Sequence, residues 1–252
     1  MLLRYKWDFM ISFIIDPLVL IINIMLFTSI YQYNNASTLL GYSLSQMIWY
    51  FAAATFIFHF VWNFTDRNIC DKVLSGDLIM DLIKPLSLFK IELFQAVSLR
   101  IFGIIFEFVP SMIIYSLLCS PDFLTILSFV RFLMLIIFSF FIFFLLNYII
   151  GLSSFYFKNI QAIISVKYLI LFFSAGAYIP FEFFPEAVKQ LLNFFPFQYV
   201  FYWPIQFFLN RTPADSLFFL KHCFIAFGWC IGLFIIGHFL YKKVIKNFCA
   251  VG

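Results

Sequence analysis

Six apolar runs, each near the length one helix needs to cross a bilayer, dominate this chain. They cover approximately residues 9–31, 42–64, 93–118, 124–148, 160–179 and 217–241, separated by polar or proline-rich breaks. A hydrocarbon core about 30 Å thick takes about 20 helical residues to traverse. A membrane β-barrel would instead read as alternating segments of about ten residues, and these runs are continuous. The expected fold is therefore all-α, a polytopic membrane protein with six transmembrane helices in a single domain over residues 1–252. Composition agrees: the chain is 64% hydrophobic with 41 Phe, and only 11% of it is charged. A soluble globule carries about 25% charged residues.

The basic residues set an expected orientation. Arg4 and Lys6 precede the first run, Arg67, Lys72, Lys84 and Lys90 follow the second, Lys158 follows the fourth, and Lys242, Lys243 and Lys246 follow the sixth. The alternate connections hold only Lys189, Arg211 and Lys221. The positive-inside rule then places both termini and the segment after the second run in the cytoplasm. The first run is too long for a cleaved signal, contains Asp16-Pro17 and lacks a small-residue cleavage pattern, so it is read as an uncleaved span. The net charge of +4 needs no nucleic acid to explain it. Cys70, Cys119, Cys223, Cys230 and Cys249 show no metal-ligand spacing, and His59, His222 and His238 have no acidic partner at helical spacing. No metal site is expected.

Two connections stand out. SGDLIMDLIKPLS, Ser75 to Ser87, lies within a stretch from Asp66 to Glu92 that holds nine charged side chains. Ile69, Val73, Leu74, Leu78, Ile79, Leu82 and Ile83 recur there at three- and four-residue steps, the pattern of a helix with one apolar stripe. Gly76 permits a break and Pro85 cannot continue a helix. The second connection, about residues 180–215, contains five of the nine prolines: Pro180, Pro185, Pro196, Pro204 and Pro213. Pro185 is suited to start a short helix with Val188, Leu191, Leu192 and Phe195 on one face, and a second begins at Pro204. Neither is long enough to cross. One reading is a re-entrant hairpin capping a cavity, the other an interfacial helix with Tyr199, Tyr202 and Trp203 as an aromatic belt.

Ionisable side chains inside apolar runs cost at least about 2.5–3.5 kcal/mol each near the bilayer centre and are candidates for function. Asp16, Arg100, Glu107, Arg131 and Lys167 are such residues. Arg100 and Glu107 share a face but stand about 10 Å apart along the axis, too far to pair directly. Glu107, just before Pro110, needs a partner on another helix or a watery cavity, whereas Arg100 and Lys167 are near enough to the inner side to snorkel. Gly228 and Gly232 give a small-xxx-small spacing suited to helix packing. No GxxxxGK[ST] phosphate loop and no catalytic constellation occur, which disfavours an enzyme.

Gly76-Asp77-Leu78, then Leu82 and Lys84-Pro85-Leu86-Ser87, resembles the inner loop of permease subunits of the type-two ABC exporter family, in particular the small six-span permeases of bacterial multidrug or lipid-type exporters. Phe184-Pro185, Pro196 and the Tyr202-Trp203-Pro204 ending resemble that family's outer hairpin. The resemblance covers essentially the whole chain, with one departure: the lead-in before the first span is reduced to Leu2, Leu3, Tyr5 and Trp7. It implies a coupling helix made of Gly76, Asp77, Leu78, Asp81, Leu82, Lys84 and Pro85, with Leu78 and Leu82 as apolar anchors in a separate ATPase. It implies an outer gate containing Pro185, Pro196, Tyr199 and Pro204. This chain would bind no cofactor, ATP and Mg belonging to the ATPase subunit. The partners would be that ATPase, a second permease copy or paralogue, and membrane lipids, in the bacterial cytoplasmic membrane. Abundant Phe points to a lipophilic substrate, and the resemblance implies that it is moved by alternating access. The alternative is an ion-gradient-driven transporter or channel-like protein in which Arg100 and Glu107 carry the coupling.

Overall fold

The computed structural model describes residues 2–157 and 160–246, with side chains from Ile15 onward. Lys158, Cys249 and the side chains of Leu2, Leu3, Arg4, Tyr5, Lys6 and Trp7 lie outside that description. Helix α1 (Leu2–Tyr33) leads through a two-stranded turn, β1 (Thr38–Leu39) and β2 (Tyr42–Ser43), into α2 (Leu44–Val61). An elbow of α3 (Thr65–Ser75) and α4 (Leu78–Leu82) follows, then α5 (Leu88–Gly103), a π-helical turn (Ile104–Phe108) and α6 (Val109–Leu118) as one continuous rod. The remainder is α7 (Ile126–Leu152), α8 (Gln161–Ser174), α9 (Glu186–Leu192), α10 (Tyr202–Phe208) and α11 (Ser216–Lys246).

Local chemistry sets these boundaries. Ser43 caps α2 in a reciprocal box with Gln46, and Thr125 caps α7 with Ser128 in the same way. Gly76, at φ +81°, closes α3 with the left-handed residue that only glycine adopts cheaply. The π-helical turn ends just ahead of Pro110, whose ring cannot sit against the carbonyl four residues back and widens the helix there.

Five helical segments, Ile15–Tyr33, Leu44–Ser75, Leu88–Leu118, Ile126–Phe155 and Ser216–Lys246, are long and apolar enough to cross a membrane. The run at residues 160–179 gives a helix of 14 residues, α8. Its rise of about 21 Å falls short of a full crossing. The chain turns away at Gly176, another left-handed glycine, and enters the proline-rich connection.

Helix α7 is the hub on which α2, α3, α10 and α11 pack. Its Phe132, Ile136, Ile142, Phe143 and Phe144 are fully or almost fully buried. The crossing with α3 is close because residue 151 is glycine: a Cβ there would fall 3.1 Å from the Asp66 Cα and 3.0 Å from the Ile69 Cδ1. Gly151→Leu is expected to push α3 off α7 and destabilise the chain by about 1–3 kcal/mol, the usual cost of overpacking. Thermal unfolding in detergent would measure it; an unchanged midpoint would mean the elbow yields freely.

Candidate functional site

The two ends of the bundle carry different structures. At one end sits the α3–α4 elbow with the beginning of α5 and the end of α11; at the other, the proline-rich hairpin.

At the elbow end the charged residues join helices to one another. The Lys72 ammonium on α3 lies 2.8 Å from Asp81 on α4 and 2.7 Å from Glu92 on α5, and Lys84 reaches the other Asp81 oxygen at 2.6 Å. Burial works against ionisation of Asp81, but Lys72 and Lys84 outweigh it and hold its carboxyl below the ordinary value. Because the folded value is depressed, this bridge is intact above the ordinary carboxylate range and is lost only as pH falls through the lower, folded value. One layer deeper, Lys167 on α8 donates to Asp66 at the start of α3 and to Asn147 of α7, and Asn147 donates in turn to the Asn63 side chain and backbone carbonyl. Lys167 also stands 3.7 Å from the centre of the Tyr168 ring, a cation–π contact. It is buried in a network rather than snorkelling to the surface.

The residues expected to form a coupling helix divide by orientation. Gly76 and Asp77 make the corner, with Ser75 donating to Asp77 at 2.8 Å. Pro85 lies in the turn after α4. Leu78 is wholly buried in a cluster with Ile69, Leu88, Tyr148, Leu152 and Val244, and Leu82 packs against the same cluster. These two leucines therefore anchor the elbow to its own bundle, not outward, because α4 turns that face inward. The large apolar groups of α4 and its cap that stay exposed are Ile79, Met80 and Ile83, by 42%, 61% and 72%.

The connection at the hairpin end folds back into the bundle. Ser139, thirteen residues along from the first residue of α7, donates to the Tyr199 carbonyl at 2.8 Å, so the connection descends about 20 Å along that helix. Polar backbone at such depth needs partners, and it has them: Tyr50 donates to the Gly176 carbonyl at 2.6 Å and the Tyr202 amide donates to Ala175. Pro185 does cap α9, while α10 starts at Tyr202, two residues before Pro204. Pro196 opens a buried turn, and Tyr199 is buried with its hydroxyl 3.3 Å from His222 Nδ1. An aromatic belt is thus not the role of Tyr199. Glu182 accepts from Tyr202 and Gln206, and the Arg211 guanidinium stacks 3.3 Å over Tyr42, fastening the hairpin to the β-turn.

Between the two ends lies an ionisable cluster that helical spacing does not reveal. His59 on α2 has Nε2 3.0 Å from the Asp16 carboxylate of α1 and Nδ1 3.2 Å from Glu107 of the π-helical turn. Ser111 donates to Asp16 at 2.8 Å, and Tyr115 to the Asp16 backbone carbonyl at 2.6 Å. Arg100 donates to the His59 carbonyl at 3.2 Å, over Gly103. His59 thus has two acidic partners after all, on other helices. Among the described residues, no group of three or more His, Cys, Asp and Glu is arranged to hold a metal ion.

No curated protein and no solved structure matches the chain. A family model does, the one described as ABC-2 family transporter protein, over residues 18–252. With an all-α, multi-pass architecture, a helical elbow at one end and a match over nearly its whole length, the chain belongs to the ABC-2 transporter family and is a permease component of an ABC transporter.

Proposed function

We propose that this permease works as an exporter of a lipophilic substrate, paired with a second permease copy and driven by a separate ATPase that grips the α3–α4 elbow. The observation that carries this reading is the two-sided character of the elbow. Its inner side is tied to the bundle through Lys72, Asp81, Glu92, Asp66 and Lys167 and through the buried Leu78. Its outer side offers Ile79, Met80 and Ile83. A push on such an elbow moves α2, α5, α7 and α8 together instead of bending a loose loop. Alternating access follows if that push opens a path toward the re-entrant hairpin, with Pro185, Pro196, Tyr199 and Pro204 in the gate.

The elbow end faces the cytoplasm in this reading, and both termini with it. Arg67, Lys72, Lys84 and Lys90 surround the elbow, and α11 ends beside it with Lys242, Lys243 and Lys246, against Lys189, Arg211 and Lys221 at the hairpin end. That asymmetry fits the positive-inside rule. Family membership implies an association with an ABC ATPase, and in this reading ATP with Mg binds to that subunit.

Mild solubilisation from the native membrane is expected to recover the chain with a stoichiometric ATPase, and transport is expected to stop when ATP is depleted. A cysteine in place of Ile83 is expected to react with a membrane-impermeant maleimide only after the cells are opened. Transport that continues without ATP and follows the proton gradient would overturn the reading in favour of a gradient-driven carrier. Labelling of Ile83→Cys on intact cells would overturn the orientation.

A further inference from the structure

His59 sits between two carboxylates, each facing a different ring nitrogen: Asp16 at Nε2, 3.0 Å, and Glu107 at Nδ1, 3.2 Å. A neutral imidazole has one N–H and one lone pair. Whichever tautomer it adopts, one of these contacts would set a lone pair against an ionised carboxylate. The imidazolium has two N–H groups, one for each side: a hydrogen bond from Nδ1 to Glu107 and, at Nε2, an ion-pair contact with Asp16 that is close but out of hydrogen-bond alignment.

Charge balance points the same way. Among the described residues, the charged groups at the ring are Asp16 from α1 and Glu107 from the π-helical turn, with Arg100 of α5 on the His59 backbone carbonyl; α6 contributes the hydroxyls of Ser111, to the Asp16 carboxylate, and Tyr115, to the Asp16 backbone carbonyl. Among the described residues, these four ionisable groups sum to zero with an imidazolium and to one net negative charge with a neutral ring and both carboxylates charged, and such charge inside an apolar span is costly. The site is also built for close approach. A Cβ on residue 103 would fall 3.1 Å from Glu107 Oε2, 3.1 Å from the His59 carbonyl and 3.5 Å from Arg100 Nη1, so the glycine there is what lets α5 bring both charges against α2. The π-helical turn inserts its extra residue where Glu107 must face His59, and such turns recur at functional sites.

We infer that Asp16, His59 and Glu107 form an intramembrane proton-binding site, which holds one proton on His59 at neutral pH and through it ties α1 and the π-helical turn to α2. Binding the proton makes two N–H to carboxylate contacts; releasing it forfeits one and loosens either α1 or the π-helical turn. The inference extends the proposed function and does not depend on it, since the site is defined whatever drives transport.

The test is ring-nitrogen NMR of the full chain in lipid nanodiscs with 15N-labelled histidine, assigning His59 by difference from His222→Gln and His238→Gln. At pH 7 both His59 nitrogens are expected to carry protons. Glu107→Gln and Asp16→Asn, each removing one carboxyl partner, are expected to shift the midpoint of His59 deprotonation down by about 1–3 pH units, the usual effect of losing an opposite charge at this range. A merely structural histidine would not respond in this way. A neutral, single-tautomer ring in the unmodified chain at pH 7 overturns the inference, and so does a midpoint that neither variant moves. If neither variant folds, the spectrum of the unmodified chain decides alone.

Discussion

Lys167→Met is expected to destabilise the folded chain by about 3–5 kcal/mol, the typical penalty for removing one member of a buried ion pair. The reason lies less in the bond lost than in the charge left behind. Asp66 is completely buried, and Lys167 is the one cation bonded to its carboxylate among the described residues. Without it, one Asp66 oxygen keeps the Arg67 amide, 2.9 Å away, while the other loses its partner at the point where α3 crosses α7. Asn147 loses its donor as well and is left holding Asn63 alone. Unfolding of the purified protein in detergent would measure the loss, and a double-mutant cycle with Asp66→Asn would separate its parts. The double variant is expected to be more stable than Lys167→Met alone, because it removes the orphaned charge. If Lys167→Met instead unfolds at the same midpoint as the unmodified chain, the network is solvated and does not hold the elbow.

This expectation bears on function because the Asp66 pair lies at the base of the elbow. A destabilised base would uncouple α3 from α7 and α8 even where the outer surface of the elbow is intact. Such a variant is expected to bind its ATPase and yet transport poorly. That pattern separates transmission from docking.

Much of this arrangement is legible in the sequence, and what is not has a physical cause. Continuous apolar runs announce helices, so the all-α architecture follows from them directly. Gly76 and Pro85 mark the ends of the elbow because their backbone restrictions act locally, whatever surrounds them. The facing of Leu78 is different. Helix α4 has five residues, little more than one turn, and an apolar stripe that short does not say which of its sides meets the bundle. Leu78 and Ile79 are adjacent in the chain, and tertiary packing alone buries the first and exposes the second. The shortening of α8 was hidden for a related reason: residues 175–179 are apolar enough to extend a span, and it is the left-handed turn at Gly176, filled by the Tyr50 hydroxyl, that ends it.

The intramembrane charges show the same division. That Asp16, Arg100, Glu107 and Lys167 would need partners follows from the cost of burying them. Which partners they take depends on which helices become neighbours. His59 has no acidic residue at the spacings that bring side chains together on one helix, so its pairing with Asp16 and Glu107 appears only once α1, α2 and the π-helical turn are assembled. The useful signal was there in outline: a histidine and two carboxylates in three apolar runs, each too costly to bury alone.

Replacing Met80 and Ile83 together by glutamate is expected to weaken the hold of the ATPase on this permease by about 100-fold or more while leaving the fold intact. Buried apolar anchors at an interface centre typically contribute 2 kcal/mol or more each, about 30-fold in affinity. These two side chains are the most exposed large apolar groups on α4 and its cap, at 61% and 72%. Both are largely solvent-exposed in the folded chain, so a charge on them is expected to be tolerated in the free chain and penalised when a partner covers it. Leu78→Ala supplies the contrast. Leu78 is fully buried, and its truncation is expected to cost about 2–5 kcal/mol of stability, lowering the yield of folded protein without a selective loss of docking. Co-purification of the ATPase from membranes, quantified per folded permease, separates the two outcomes. Should the doubly substituted chain retain its ATPase in full while Leu78→Ala sheds it, the inward leucine would be the true anchor. The elbow would then have to open from its own bundle to be gripped, and a rigid lever could not be the device that couples ATP to transport.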